Sequence, residues 1–376
     1  MRKIFYYVLF LFPLLLNSQA KNNDKKVLMV VSSYGKDLGA TRPGYEFDEF
    51  SQAYLIFKNN GLTIDIASPK GGNVEADKFN REKEYNKAVL EDTKALSLLN
   101  NTKATANINA ENYNAIYIVG GKGAMFDLPY DPSLQDIILN LYNRKETVIS
   151  SVCHGPASFV NIKNKDEFII KDVEITGFCN IEEELFGKKW VQEFPFSLES
   201  KLKSRGAIFK QTDFMLSKIA VSGKFITGQN PFSTTRSAEA VVKSLGLTPV
   251  KRTLYKDEKS VYLIQDLLNK KKSFVWAEKE LLNNKSSYDI QIIAVYGYYK
   301  ILAAKNNREE LATGIELVEL TTPHFFNEHL QFLIAKTYNT LGKKEKAIEV
   351  LNELISKNLI KEEAQKLLQN INNSSN

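Results

Sequence analysis

Residues 147–157, TVISSVCHGPA, decide the fold because a run of β-forming residues ends there in Cys153. His154, Gly155 and Pro156 follow at once, which is typical of a strand closing in a tight turn before a helix. The thiol would lie at the carboxyl end of its strand, where open α/β sheets bind ligands. The N-terminal dipole of the following helix would favour the thiolate, so the stretch predicts a nucleophile.

The other cysteine and the histidines limit the alternatives. Free cysteines are commonly buried as small apolar residues, so a purely structural role for Cys153 is one alternative. A bridge between Cys153 and Cys179, the only two cysteines, is another, and it would consume the proposed nucleophile. His154 is one of three histidines, and the other two, His324 and His329, fall near the C-terminus. A conventional zinc site is therefore not expected.

The N-terminus and the overall charge indicate where the protein acts. Arg2 and Lys3 precede an apolar run over residues 4–16, and Ser18 and Ala20 follow it. This pattern predicts a secretory signal peptide cleaved after Ala20, and hence a secreted or periplasmic protein without a membrane span. The net charge of +6 is spread among interspersed acidic residues, so we expect no nucleic-acid partner.

Two regions follow the predicted signal peptide. Within residues 21–250, short β-rich runs alternate with helical stretches, which predicts an α/β domain with a mostly parallel sheet and helices on both faces. The runs are residues 27–33, 62–68, 115–119, 147–152, 174–176, 219–222 and 225–227. The polar segment 71–112, with a helical pattern over 87–99, is too long for a simple connection and predicts an excursion near the site mouth.

Residues 251–376 form the second region and carry helical patterns only. Tyr338, Gly342, Ala347 and Leu351 have the spacing of a tetratricopeptide-type helical hairpin, with Gly342 at the turn. An ordinary helical bundle is the alternative. The predicted helices cover residues 261–269, 274–282, 288–304, 308–320, 328–341, 344–356 and 361–371.

Four further segments should meet Cys153 at the carboxyl edge of the sheet. Residues 41–50, TRPGYEFDEF, supply three acids, Glu46, Asp48 and Glu49, among which spacing alone does not choose. Residues 119–123, VGGKG, offer bare backbone N–H groups to an oxyanion. Residues 176–183, TGFCNIEE, offer acids that can orient a histidine, and residues 227–231, TGQNP, form a polar turn.

Together these segments resemble the DJ-1/PfpI superfamily over residues 26–247, and most closely its heat-shock chaperone and glyoxalase III branch. The resemblance implies a flavodoxin-like, class I glutamine amidotransferase-like fold. It implies Cys153 as the nucleophile, Glu49 as the acid beside it, His154 as the second catalytic group and Glu183 as its orienting carboxylate. The backbone N–H groups of Gly121 and His154 would bind the oxyanion.

Two positions depart from that branch. Lys122 stands where histidine is common, so it would place a different charge among the substrate-binding residues, and Cys179 stands where threonine is usual. The helical region has no counterpart in the resemblance, so it would be an addition that could bind a protein partner. Many members of the family dimerise, which makes a homodimer a reasonable expectation.

The resemblance implies a glyoxalase III-type enzyme, a hydro-lyase of the D-lactate dehydratase type, acting on a small aldehyde such as methylglyoxal or glyoxal. No cofactor or metal would be needed. A cysteine amidase, peptidase or deglycase using the same thiol is one alternative. A redox-sensitive chaperone or interaction protein is the other, and it would require no turnover.

Overall fold

A computed structural model describes residues 25–373, so the predicted signal peptide lies outside the described residues. The strands are β1 (Lys26–Val30), β2 (Thr63–Ser68), β3 (Lys103–Ala104), β4 (Ala115–Ile118), β5 (Val148–Val152), β6 (Lys163–Asn164), β7 (Glu167–Phe168), β8 (Glu174–Ile175), β9 (Ile208–Phe209), β10 (Ile219–Ser222) and β11 (Phe225–Gly228). The helices are α1 (Phe47–Asn59), α2 (Glu84–Leu90), α3 (Thr93–Asn100), α4 (Pro132–Asn143), α5 (Asn180–Phe186), α6 (Leu198–Ser204), α7 (Thr234–Ser244), α8 (Lys256–Leu268), α9 (Phe274–Asn284), α10 (Ile290–Ala303), α11 (Arg308–Glu319), α12 (Glu328–Thr340), α13 (Lys344–Ser356) and α14 (Lys361–Asn373).

Seven strands form the central sheet in the order β10-β11-β5-β4-β1-β2-β3. Every neighbouring pair is parallel except β10 with β11, so the predicted mostly parallel sheet is confirmed. All residues of β4 and β5 are buried, as expected for strands covered on both faces. The carboxyl ends of β4, β5 and β11 therefore lie side by side at one edge, where the predicted site residues follow them.

The structure differs from the sequence prediction at two elements. The predicted strand at residues 174–176 pairs with Ile208–Phe209 in a separate two-stranded sheet and does not join the central one. The helical pattern over residues 87–99 divides into α2 and α3, because Asp92 caps α3 by accepting hydrogen bonds from the backbone N–H groups of Lys94 and Ala95. A local pattern identifies an extended or helical segment, but not its partner.

Seven helices, α8 to α14, occupy residues 256–373, and the closest packing is between α10 and α11, between α12 and α13, and between α13 and α14. Gly342 adopts a φ of 78° between α12 and α13, where it makes the predicted turn. Ala347 and Leu351 are fully buried on the α13 side of that hairpin. Gly297 and Gly314 let α10 and α11 approach closely, since a Cβ on Gly297 would lie 3.0 Å from the Gly314 carbonyl oxygen. The extension is thus built from helical hairpins.

The extension shares a hydrophobic core with the α/β region. Phe214, Met215 and Leu216, which precede β10, are buried in one cluster with Ile264 of α8 and Tyr296 of α10. The predicted boundary at residue 250 falls in the irregular segment between α7 and α8 and stays a prediction. No helix within residues 25–373 is long and apolar enough to cross a bilayer.

Candidate active site

Cys153 follows directly after β5 and has a φ of 59°, a left-handed conformation that is costly for a residue other than glycine. Two hydrogen bonds hold it there. Its N–H donates to the Gly228 carbonyl oxygen at 2.9 Å, and its carbonyl accepts from the Phe178 N–H at 2.8 Å. The strained turn aims the thiol away from the strand, as in a nucleophile elbow.

His154 connects the thiol to an acid on α5. Its Nδ1 lies 3.3 Å from the Cys153 Sγ, and its Nε2 lies 2.9 Å from Oε1 of Glu183. The imidazole is 2% exposed and its ring packs against Phe178 and Phe194. Because both nitrogens and the ring are held, His154 is positioned to exchange a proton next to the thiol.

Glu49 is the acid of residues 41–50 that reaches Cys153. Its side chain is fully buried, its Oε2 accepts from the Gly120 N–H at 2.7 Å, and its carboxyl lies close enough to Cys153 to raise the pKa of the thiol. A Cβ on Gly120 would lie 2.7 Å from the Cys153 Cβ and 2.8 Å from Glu49 Oε2. Glycine at position 120 is therefore what lets the acid and the thiol meet.

The other two acids of that segment have different environments. Asp48 points away from the thiol, toward Lys83 at 2.6 Å, Tyr85 at 3.1 Å and Asn86 at 2.6 Å. Glu46 caps the N-terminus of α1 and lines the cavity in front of Cys153. Tertiary structure thus makes the choice that spacing left open.

The predicted oxyanion donors lie on two sides of the thiol. Within residues 25–373 the backbone N–H groups of Gly121 and His154 donate no hydrogen bond. Gly121 has a φ of 94°, and a Cβ there would lie 2.4 Å from the Glu46 backbone nitrogen, so only glycine fits. Both groups border the cavity and can bind an oxygen that becomes negative during attack by Cys153.

The electrostatics of the site do not favour the predicted Cys153 thiolate. The pKa of the Cys153 thiol lies well above its usual value because burial and the Glu49 carboxyl both disfavour the charged form. Burial and the nearby Glu46 also raise the pKa of Glu49 well above its usual range. The segment after the cysteine is a single 3₁₀ turn, Gly155–Phe159, rather than the predicted helix, so its dipole is small. Burial thus disfavours the charged forms of both the Cys153 thiol and the Glu49 carboxyl.

Sequence reasoning missed the role of Glu182, which lies beside Glu183 on α5. Its buried carboxylate accepts hydrogen bonds from Met215 N–H at 3.0 Å and from Asn230 Nδ2 at 2.8 Å. It also accepts from Gln229 Nε2 at 3.1 Å and from the backbone N–H of Cys179 at 3.2 Å. Burial nevertheless raises the pKa of Glu182 to about 7. Glu182 thus joins three segments of chain at the border of the cavity. Its signal in the sequence was an acid three residues after the helix cap, Cys179.

The cavity in front of Cys153 has a volume of about 400 Å³. Its polar lining residues include Lys122, Lys188 and Glu46. Its apolar lining residues include Val295 and Tyr299, both from helix α10 of the extension. The sequence carried no signal that α10 would line the cavity. Residues 71–112, which we expected near the mouth of the site, supply no lining residue. Within residues 25–373 no group of three or more His, Cys, Asp or Glu side chains is arranged to hold a metal ion.

Comparison with known proteins supports this description. The DJ-1/PfpI family profile matches residues 25–244. The chain is 28% identical over 243 residues to the glutathione-independent glyoxalase hsp3102 of Schizosaccharomyces pombe, covering 59% of this chain and 98% of that protein. Glyoxalase 3 of Candida albicans is also 28% identical, over 232 residues, with 58% and 97% covered.

Solved structures agree. The crystal structure of glyoxalase III from Candida albicans matches with a TM-score of 0.55 and 26% identity, covering 59% of this chain and 98% of that one. The Rapid Encystment Protein 24 kDa of Francisella tularensis matches with a TM-score of 0.55 and 34% identity, covering 59% and 99%. The chain therefore belongs to the DJ-1/PfpI family and groups with its glyoxalase III branch.

Proposed function

We propose that this protein is a glyoxalase III-type enzyme that converts methylglyoxal or glyoxal to a 2-hydroxy acid through a hemithioacetal on Cys153. The observation that carries the proposal is the arrangement of Cys153 between Glu49 and a His154–Glu183 pair. Relatives named glutathione-independent glyoxalases support it. The reaction adds one water molecule overall, which is the reverse of a hydro-lyase dehydration.

In the first step the Cys153 sulfur attacks the aldehyde carbon. Burial raises the pKa of the Cys153 thiol, so its proton leaves as the carbon–sulfur bond forms, and His154 Nδ1 at 3.3 Å is placed to accept it. The aldehyde oxygen becomes the hydroxyl of the hemithioacetal. While negative, it is stabilised by the N–H groups of Gly121 and His154.

In the second step a proton moves from the former aldehyde carbon to the neighbouring carbon, and the hydroxyl proton of the hemithioacetal moves to the neighbouring carbonyl oxygen. His154 and Glu49 flank the sulfur, so one removes the proton from the former aldehyde carbon and the other returns a proton to the neighbouring carbon. The product is a 2-hydroxy thioester. Water then cleaves the thioester, which releases the 2-hydroxy acid and restores the thiol. Lys122 and Lys188 at the cavity favour the carboxylate product.

The test is methylglyoxal consumption and lactate formation by purified protein without added glutathione or metal. We expect turnover in the wild type and its loss, by at least about 1,000-fold, in Cys153→Ala. Cys179→Ala removes the chain's other thiol and serves as the matched control. Absence of lactate from the wild type would contradict the proposal and favour an amidase, deglycase or chaperone role.

We also propose, from residues 1–20 alone, that the protein acts outside the cytoplasm. Cell fractionation and N-terminal sequencing of the purified protein test this, and the expected mature N-terminus is Lys21. An intact Met1 on the purified protein would contradict it. The homodimer and the protein partner of the helical region stay predictions.

A further inference from the structure

We propose that helix α10 of the extension completes the substrate pocket, and that Val295 and Tyr299 select 2-oxoaldehydes with an apolar substituent larger than methyl. The choice of substrate class rests on the proposed function. The contribution of α10 to the pocket rests on the residues that line the cavity. Both side chains line the same cavity as Cys153, although they come from a region beyond the family match.

Helix α10 is fixed against the loop that precedes β10. Tyr296 is fully buried and its ring stacks on Phe214 with centroids 5.0 Å apart. Asp213 on the same loop accepts hydrogen bonds from the Tyr296 hydroxyl at 2.9 Å and from Lys300 Nζ at 2.7 Å. The next residue after Phe214, Met215, donates its N–H to Glu182, and both residues line the cavity. The helix is therefore tied to a loop that itself borders the cavity.

An adjacent face of α10 borders the cavity. Tyr299 packs edge-on against Phe186 of α5 with centroids 4.7 Å apart, which orients its ring. Val295 lies one turn earlier and is 40% exposed, although it is apolar. Phe232, after β11, lines the same side. These four side chains form an apolar surface in the cavity, called here the apolar wall. A small polar substrate would leave this surface exposed to water.

The volume of the cavity and its polar and apolar lining residues indicate which substrate it fits. A cavity of 400 Å³ lies in the range of about 300–1,000 Å³ that holds drug-sized ligands, which is larger than methylglyoxal requires. The carbonyl end of a substrate must lie at Cys153, the nucleophile. Its substituent can then contact the apolar side chains that line the same cavity, so burial there favours an aryl or branched alkyl group over methyl.

The experiment compares phenylglyoxal with methylglyoxal in the full-length protein. We expect the wild type to have a kcat/KM about tenfold higher for phenylglyoxal. Val295→Phe places a larger side chain in the space for the substituent, so it should lower the ratio of kcat/KM for phenylglyoxal to kcat/KM for methylglyoxal about tenfold. Tyr299→Ala should lower this ratio as well. Val275→Phe makes the same substitution at a 63% exposed valine on α9, outside the cavity, and should leave the ratio unchanged.

Binding of the products provides a readout that does not require turnover. Calorimetry should give tighter binding of mandelate than of lactate to the wild type, and Val295→Phe should remove the difference. Equal binding of both acids, or a ratio of kcat/KM values that Val295→Phe leaves unchanged, overturns the proposal. If neither aldehyde is consumed but mandelate binding is selective and sensitive to Val295→Phe, the proposed reaction is wrong while the pocket assignment holds.

Discussion

The two sides of the cavity differ in composition and in origin. The side formed by the α/β region carries buried acids, a histidine and a thiol, each held by hydrogen bonds. The side formed with α10 presents Val295 and Tyr299. On the proposals above, the reacting groups come from the α/β region alone, whereas two of the four apolar side chains that select the substrate come from α10. Substitutions on the first side should lower turnover of every aldehyde, whereas those on the second should change discrimination.

The largest effect is expected from Glu49→Gln. An amide has the same shape but cannot take up or return a proton beside Cys153, so kcat should fall about 1,000-fold for methylglyoxal and phenylglyoxal alike. Steady-state kinetics on both substrates measure this. Glu46→Gln, the same change at the start of the same helix, should cost less than about tenfold. Similar losses in the two variants would mean that Glu49 is not the proton carrier.

A smaller loss is expected from Glu183→Gln. Glu183 holds His154 Nε2 without reaching the thiol, so it acts as a positioning residue. We expect kcat to fall about 100-fold while KM stays within about threefold, since the pocket itself is unchanged.

Glu182→Gln is the neighbouring control for Glu183→Gln. The Met215 N–H and the Asn230 amide now donate to one oxygen of the Glu182 carboxylate, and other N–H groups donate to its second oxygen. In the variant an amide nitrogen, which cannot accept, would face some of these donors instead. The substitution should therefore lower the free energy of unfolding by about 2 kcal/mol. A parallel loss of stability in Glu183→Gln, with kcat unchanged per folded molecule, would assign Glu183 a structural role.

The link between the two sides can be weakened at Asp213. In Asp213→Ala, the Tyr296 hydroxyl and Lys300 lose their shared acceptor, so the free energy of unfolding should fall by about 2 kcal/mol. Urea unfolding measures this, and the preference for phenylglyoxal should fall with it. Glu310→Ala removes the other, more exposed partner of Lys300 and should cost less than about 1 kcal/mol. An unchanged preference in a destabilised Asp213→Ala would show that α10 holds its place without this loop.

The smallest effect concerns pH and Glu46. Burial and the nearby Asp48 raise the pKa of Glu46 to about 7, although Lys122 lowers it. As pH rises through 7, Glu46 becomes negative, and this charge raises the pKa of Cys153 further. Iodoacetamide should therefore alkylate Cys153 about threefold faster in Glu46→Gln than in wild type at pH ~8.5, and equally fast at pH ~5.5. Faster alkylation at both values would indicate altered access instead of charge.

Local pattern predicted much of the fold and several site residues. Strands β1, β2, β4, β5, β10 and β11 and the helices of the extension were predicted because side-chain periodicity and β-branched residues act over a few neighbours. The same reasoning misassigned residues 174–176 to the central sheet, since the strand that pairs with them, β9, is not visible in the local pattern. It also predicted a helix after Cys153 where one 3₁₀ turn forms.

The sequence by itself determined that Cys153 ends a buried strand, that a glycine pair ends the neighbouring strand, and that a helical region follows the α/β region. These features depend on residues adjacent in the chain. Spacing left the choice between Asp48 and Glu49 open, and the tertiary structure agrees with the family resemblance in placing Glu49 beside the thiol. Only the tertiary structure decided that burial raises the pKa of the thiol and that Tyr299 lines its cavity. Desolvation and contact between residues far apart in the chain set these properties, and no local pattern records them.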